Sequence, residues 1–269
     1  MHPPKIVNEE ANERFIQLAM KLALDVGSQW IGGYVEYEWN HARHVFEHQE
    51  CVIKNSRFLE FGCNVGASSI ILAHLGATVT AVDVDESFLG LAKINAERYG
   101  VADRIRFVYV ADTSTMPFES STFDYISCNS VLEYVHRDQL PLVLRELSRV
   151  LKTKGILFIT GTSNRLWPKE VHSNRWFTNY IPHRLDSIIF NGESPERGIL
   201  PNDILTTLPN FLNMDLADHS KNYLQSKKDI GISSLKLYIL RIGGISLRLF
   251  GLSIGSITPN ISLTLQKKD

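Results

Sequence analysis

The stretch Leu59-Glu60-Phe61-Gly62-Cys63-Asn64-Val65-Gly66 is where this chain first offers groups suited to holding a ligand. Two glycines after a short apolar run let the backbone approach a bound molecule and take torsions that a Cβ forbids. Their Gly-x-x-x-Gly spacing matches poorly the Gly-x-Gly-x-x-Gly cradle of a dinucleotide pyrophosphate. Glu60, just before the loop, would repel a pyrophosphate but could accept hydrogen bonds from a cationic or hydroxyl-bearing ligand. A second acid, Asp83, ends the β-branched run Thr78-Val79-Thr80-Ala81-Val82. A carboxylate there can take both hydroxyls of a ribose. A third, Asp112, follows Val110-Ala111 and can accept an exocyclic amine. Three acids at three successive strand ends outline an adenosine with a positively charged neighbour. Taken singly, the glycines also suit a tight turn, Asp83 a helix cap and Asp112 a solvated turn.

The elements that must position these groups follow from periodicity. Apolar residues at helical spacing predict a helix over 8–26, and a second, rich in Tyr, Trp and His, is expected over 34–49. Short strands are expected at 58–61, 77–84, 105–110, 123–128 and 155–160, separated by helices at 67–75, 87–99 and 140–151. Strands alternating with helices imply crossover units on a parallel sheet, which binds ligands beyond its carboxyl edge. Beyond residue 160 the pattern changes. Residues 161–200 hold Trp167, Trp176, Phe177 and Tyr180 among cations and histidines, too long a stretch for an ordinary connection. A helix at 201–208 and strands at 213–217 and 262–266, the last antiparallel, complete the expectation. The fold class is α/β: a Rossmann-like, seven-stranded, mostly parallel sheet with helices on both faces. Residues 1–50 read as an N-terminal helical cap, and 51–269 as the main domain with an insert at 161–200.

The ordered motifs resemble class I S-adenosylmethionine-dependent methyltransferases over roughly Arg57 to Thr160. Besides the glycine loop, the turn at 82–87 and Ala-Asp-Thr at 111–113, the likeness includes Met116-Pro117-Phe118 through Phe123-Asp124. Ser130-Val131-Leu132-Glu133-Tyr134-Val135 and Arg149-Val150-Leu151-Lys152 complete it. Asn64 replaces the usual middle glycine, Thr153-Lys154-Gly155 a Pro-Gly-Gly, and Tyr134 a frequent histidine. The resemblance implies S-adenosyl-L-methionine as cofactor. Gly62, Cys63 and Gly66 would lie against its methionine part, and Glu60 would support the loop or the amine. Asp83 would bind the ribose, Val84 would lie beside the adenine, Asp112 and Thr113 would read the adenine edge, and Asn129 would approach the sulfonium. Methyl transfer to oxygen or nitrogen of a small molecule, an aromatic one among them, is the activity implied. A glycan or lipid-linked acceptor, and a non-catalytic cofactor-binding protein, are the alternatives.

Alignment of a nucleophile with an activated methyl needs few side chains, and a base only where a proton must leave. His172, inside the aromatic insert with Glu170 nearby, is the preferred base; Tyr134, His136 and His183 also lie near the expected mouth. Tyr37, Trp167, Trp176 and His183 are candidates for acceptor contact, and the cap residues Tyr34, Tyr37, Trp39, His41 and His44 for closing over the cofactor. Asn129, Ser130, Glu133 and Tyr134 supply one carboxylate after the fourth strand, so no metal is expected.

Composition bounds the partners. The 269 residues carry 28 Lys plus Arg and 29 Asp plus Glu, for a formal net charge of −1, so no field for gripping nucleic acid exists. Cys51, Cys63 and Cys128 form no CxxC pair, which argues against a disulfide scaffold and fits a reducing compartment. Charged residues soon after the N-terminus, without a signal-like apolar block, suggest a cytoplasmic protein. No uncharged run reaches the length of a membrane span. The stretch 235–257 is apolar but interrupted by Lys236, Arg241 and Arg248. Core or dimer packing in a monomer or homodimer is expected for it, with peripheral membrane contact as the alternative.

Overall fold

In the computed structural model, which describes residues 2–49, 51–191 and 195–269, seven strands form one sheet. They are β1 (Arg57–Phe61), β2 (Thr78–Asp83), β3 (Ile105–Tyr109), β4 (Phe123–Asn129), β5 (Leu151–Ser163), β6 (Phe211–Asn213) and β7 (Asn260–Lys267). The helices are α1 (Glu9–Lys21), α2 (Tyr34–Asn40), α3 (Ala42–His48), α4 (Ala67–His74), α5 (Glu86–Arg98), α6 (Leu140–Val150), α7 (Asp186–Ile189), α8 (Pro201–Thr207), α9 (Met214–Ala217), α10 (Lys221–Asp229) and α11 (Ser234–Arg248). Strand order is β3-β2-β1-β4-β5-β7-β6, parallel except for β7, which runs antiparallel to both neighbours. The order reverses between the neighbours β1 and β4, and a ligand crevice opens at such a point.

Period-two alternation divides the core. Leu59 and Phe61 of β1, Ile126 and Cys128 of β4, and Leu157 and Ile159 of β5 face one side, where Leu144 and Leu147 of α6 pack on them. Phe58, Val79, Ala81, Ile156 and Phe158 face the other, against Ile70 and Ile71 of α4 and Val35, Trp39 and Phe46 of α2 and α3. Glu60 shares the parity of Phe58, so it points to the side covered by α2 and α4. Asn8 caps α1 by accepting from the Ala11 amide at 3.0 Å, and Phe15 and Ala19 seat that helix with Leu91 of α5.

Several expectations change. The helix predicted over 34–49 is two helices, broken at His41, whose φ of −124° and ψ of −69° leave the helical region. The strand expected at 213–217 lies at Phe211–Asn213 instead; the Asn213 side chain then caps α9 by accepting from the Asp215 amide at 3.1 Å. β5 is longer than expected, because β7 pairs with it as far as Ser163. Of the apolar 235–257 stretch, only the end at Ser253–Ser256 is buried as a run. Its first part, up to Arg248, lies in α11, of which Gly244 alone is buried among the described residues.

Candidate functional site

A cavity of about 830 Å³ opens beyond the carboxyl ends of β1, β2 and β4. Its floor is the β1–α4 turn. Gly62 there has φ of +73°, and a Cβ on it would meet the Val131 side chain at 2.2 Å, so both the torsion and the space require glycine. Asn64 is also left-handed, at φ +48°, a conformation Asn tolerates. Gly66 starts α4 at φ +79° and does not line the cavity.

Asp83 ties this loop down. Its Oδ2 accepts from the Asn64 amide at 2.8 Å and its Oδ1 from the Asp85 amide at 3.1 Å. Asp85 caps α5 in turn, accepting from the Ser87 amide at 2.7 Å. Asp112 accepts from the Ser114 amide at 2.9 Å and hydroxyl at 2.6 Å, and these bonds hold its carboxyl below its ordinary range. Glu60, Gly62, Cys63, Asp83, Val84, Asp112, Thr113, Asn129 and Tyr134 all line the cavity. Among the described residues its lining contains no Lys or Arg.

The electrostatic feature of the site is a pair of buried acids. Glu60 is fully enclosed, its Oε2 has no hydrogen-bond partner, and burial pushes its carboxyl well up, reinforced by Glu38. Glu38, on α2, is 2% exposed. Burial raises its carboxyl to about 7, while Asn129, Tyr34 and Ser68 offset part of the effect. The sequence reading missed Glu38. Its signal was position: Val35, Glu38, Trp39, Ala42 and Phe46 share one buried stripe, and Glu38 is the lone carboxylate on it. Tyr34, on the same helix, lines the cavity, so the cap contributes to the site.

The other candidates lie elsewhere. Tyr37 stacks on His41 with ring centroids 4.0 Å apart, outside the lining. Trp167 donates its indole N–H to the Ile257 carbonyl at 2.5 Å, and Trp176 is exposed on the insert beside Phe177. The side chain of His183 is outside the described residues. His172 also stands off the main cavity. Its Nε2 lies 2.9 Å from Oε1 of the enclosed Glu133, and its ring centroid 5.6 Å from that of Tyr134. The bond to Glu133 raises the imidazole above its ordinary value. Glu170, though buried, is held below its usual range by bonds from the Ser173 and His172 amides and the Ser173 and Ser163 hydroxyls. Burial pushes the Tyr134 phenol up to about 12. A smaller cavity, about 260 Å³, shares Tyr134, Val135 and His136 with the first and reaches Arg165 and Glu196 of the insert. His44, His48 and Asp229 bring three ligand-type atoms within 4.8 Å of one another between α3 and α10; none of the three lines either cavity.

Comparison with known proteins agrees with this geometry. The family described as "Methyltransferase domain" matches residues 59–159. A sterol 24-C-methyltransferase of Gibberella zeae is 34% identical over 114 residues, 42% of this chain and 29% of that protein. A ubiquinone biosynthesis O-methyltransferase of Coxiella burnetii is 32% identical over 127 residues, 47% of this chain and 51% of that protein. The chain therefore spans about half or less of the length of these curated relatives. Among solved structures, a S-adenosylmethionine-dependent methyltransferase of Methanosarcina mazei superposes with a TM-score of 0.53 at 16% identity, over 83% of this chain and 97% of that one. The cyclase SpnF shares the fold at the same TM-score and 19% identity, over 91% of this chain and 84% of its own. Residues 59–159 thus match the methyltransferase-domain family, and the sheet and crevice around them share the fold of solved S-adenosylmethionine-dependent methyltransferases.

Proposed function

We propose that this chain transfers the methyl group of S-adenosylmethionine to an oxygen or nitrogen of a small, flat acceptor. The observation that carries the reading is the cation-free cavity with an enclosed carboxylate oxygen, Glu60 Oε2, left without a partner. A buried unpaired carboxylate is strongly disfavoured unless a donor or a cation meets it. The cofactor's ammonium is such a group, and Gly62 leaves room for its approach.

When bound, the cofactor supplies a methyl already activated by a sulfonium. The chain's part is binding and alignment. Glu60, with Glu38 behind it, would accept from the ammonium. Asp83 would accept from the ribose through lone pairs that Asn64 and Asp85 leave open, and Asp112 and Thr113 would meet the adenine edge beside Val84. Asn129, its Oδ1 already accepting from the Thr160 hydroxyl at 3.0 Å, would keep its fixed orientation near the sulfonium.

The smaller cavity, which shares Tyr134 with the first and is lined by Glu133, the partner of His172, is the proposed acceptor side. A hydroxyl acceptor would surrender its proton toward His172; a neutral amine needs no base. An apolar, ring-bearing acceptor is the second reading, favoured by the sterol methyltransferase and the ubiquinone biosynthesis methyltransferase among the relatives.

The test is calorimetric titration with S-adenosylhomocysteine, wild type against Asp83→Ala, followed by product detection with acceptors of each class. Loss of the charge-assisted bonds should weaken binding by about 1–3 kcal/mol. Equal affinity in the two proteins would remove the ribose assignment, and binding without any product nucleoside would favour a non-catalytic binder.

A further inference from the structure

α11 is held by one face and bare on the other. Gly244 is buried against Ile254, whose Cδ1 would lie 2.7 Å from a Cβ at that position, and Leu237, Leu240 and Leu247 are half-buried on the same side. Leu235, Ile239, Ile242, Ile245, Leu249 and Phe250 are exposed, Leu249 and Phe250 to 85% and 79%. Spacings of three and four residues put them on one stripe. A buried or partnered helix shows no such second apolar face, and a stripe this long on open surface marks a binding surface.

The charge pattern says what covers it. Lys236, Arg241 and Arg248 are exposed along the margins of the stripe, and no Asp or Glu occurs between residues 230 and 268. Two copies pairing through this face would bring six cations together with no acid to meet them, which like-charge repulsion opposes. At fifteen residues, α11 is too short and too charged to cross a bilayer, and no helix among the described residues is long and apolar enough to do so. An apolar stripe flanked by cations is the pattern of a helix lying in the interface of an anionic membrane.

We propose that α11 seats this protein on an anionic lipid surface, its apolar stripe in the acyl boundary and its three cations among the headgroups. The helix leads into a turn that the insert holds: the Asn164 side-chain amide donates to the Ser256 carbonyl at 3.0 Å and the Thr258 carbonyl at 2.8 Å, and Trp167 bonds Ile257. The membrane anchor and the proposed acceptor insert are thus joined by hydrogen bonds. The proposal stands whatever acceptor the cavity takes.

The experiment sediments the full chain with vesicles of phosphatidylcholine mixed with phosphatidylglycerol, and with phosphatidylcholine alone. Partition onto the mixed vesicles, weakened by salt, is expected. Each cation near an anionic surface contributes roughly fivefold, so Arg241→Ala with Arg248→Ala should lower partition about 30-fold. Ile242→Glu with Leu249→Glu should abolish it with an unchanged melting temperature, because both side chains are exposed. Absence of partition overturns the proposal, as does equal partition of wild type and the Glu variant. A concentration-dependent dimer that this variant abolishes, without vesicle binding, also overturns it and makes a second copy the occupant.

Discussion

Replacing Glu38 by Gln isolates the buried acid that α2 sets beside Glu60 of the main cavity. The Glu38 carboxyl is 2% exposed and titrates at about 7 instead of 4.5. That rise is worth about 3 kcal/mol against the ionised form. Below the ordinary value, folded and unfolded chains both hold the proton, and nothing is lost. Between the two values the unfolded chain releases its proton while the folded chain keeps it, so stability falls as pH rises. Above the folded value the loss levels off at about 3 kcal/mol. The amide of the Glu38→Gln variant keeps the size and carries no such dependence. Chemical denaturation of the apo protein should therefore find Glu38→Gln more stable than wild type by about 3 kcal/mol near pH 8, with the gap closing toward pH 4.5. A cationic cofactor should narrow the gap: wild type gains more from S-adenosylmethionine, by about 1–3 kcal/mol, because only it offers a charge-assisted acceptor pair. Parallel stability curves for the two proteins over this range would refute the reasoning.

Two further outcomes are expected. Gly62→Ala would force a Cβ to 2.2 Å from Val131 in a left-handed backbone, and should destabilise by about 2–4 kcal/mol in thermal melts, with Val131→Ala restoring part of the loss. Glu133→Gln should lower the raised value of His172, followed by proton resonance titration of the ring; the stability that this pair contributes is fully present below the ordinary histidine value and is lost as pH rises through the raised one.

Much of the site was legible because it is local. A glycine loop and acids at strand ends are set by turn torsions and by period-two alternation, both written in a few adjacent residues. That is why Glu60, Asp83, Asp112 and Asn129 emerge together at one cavity. Glu38 was not legible by motif, since its role depends on α2 crossing the sheet face that carries Glu60. The insert is less legible. Its aromatic density predicts acceptor contact, but that Trp167 donates to the Ile257 carbonyl and His172 meets Glu133, partners 90 and 39 residues away, is written in no local pattern. The break at His41 and the capping by Asn213 are single-residue decisions that periodicity averages over.

β5 and β6 are not neighbours in the sheet; each pairs with β7, which arrives about a hundred residues after β5. Until residues 260–267 have emerged, β5 presents an open edge with Ile156, Leu157, Phe158 and Ile159 along it, and β6 has nothing to pair with. Such an edge is a template for pairing with other chains. Folding of this half therefore waits on loop closure over a long separation, a slow step during which a nascent chain is exposed to aggregation. The parallel strands β1 to β4, with the glycine loop, can assemble earlier, so the cofactor cavity is formed by the part of the sheet that does not depend on that closure.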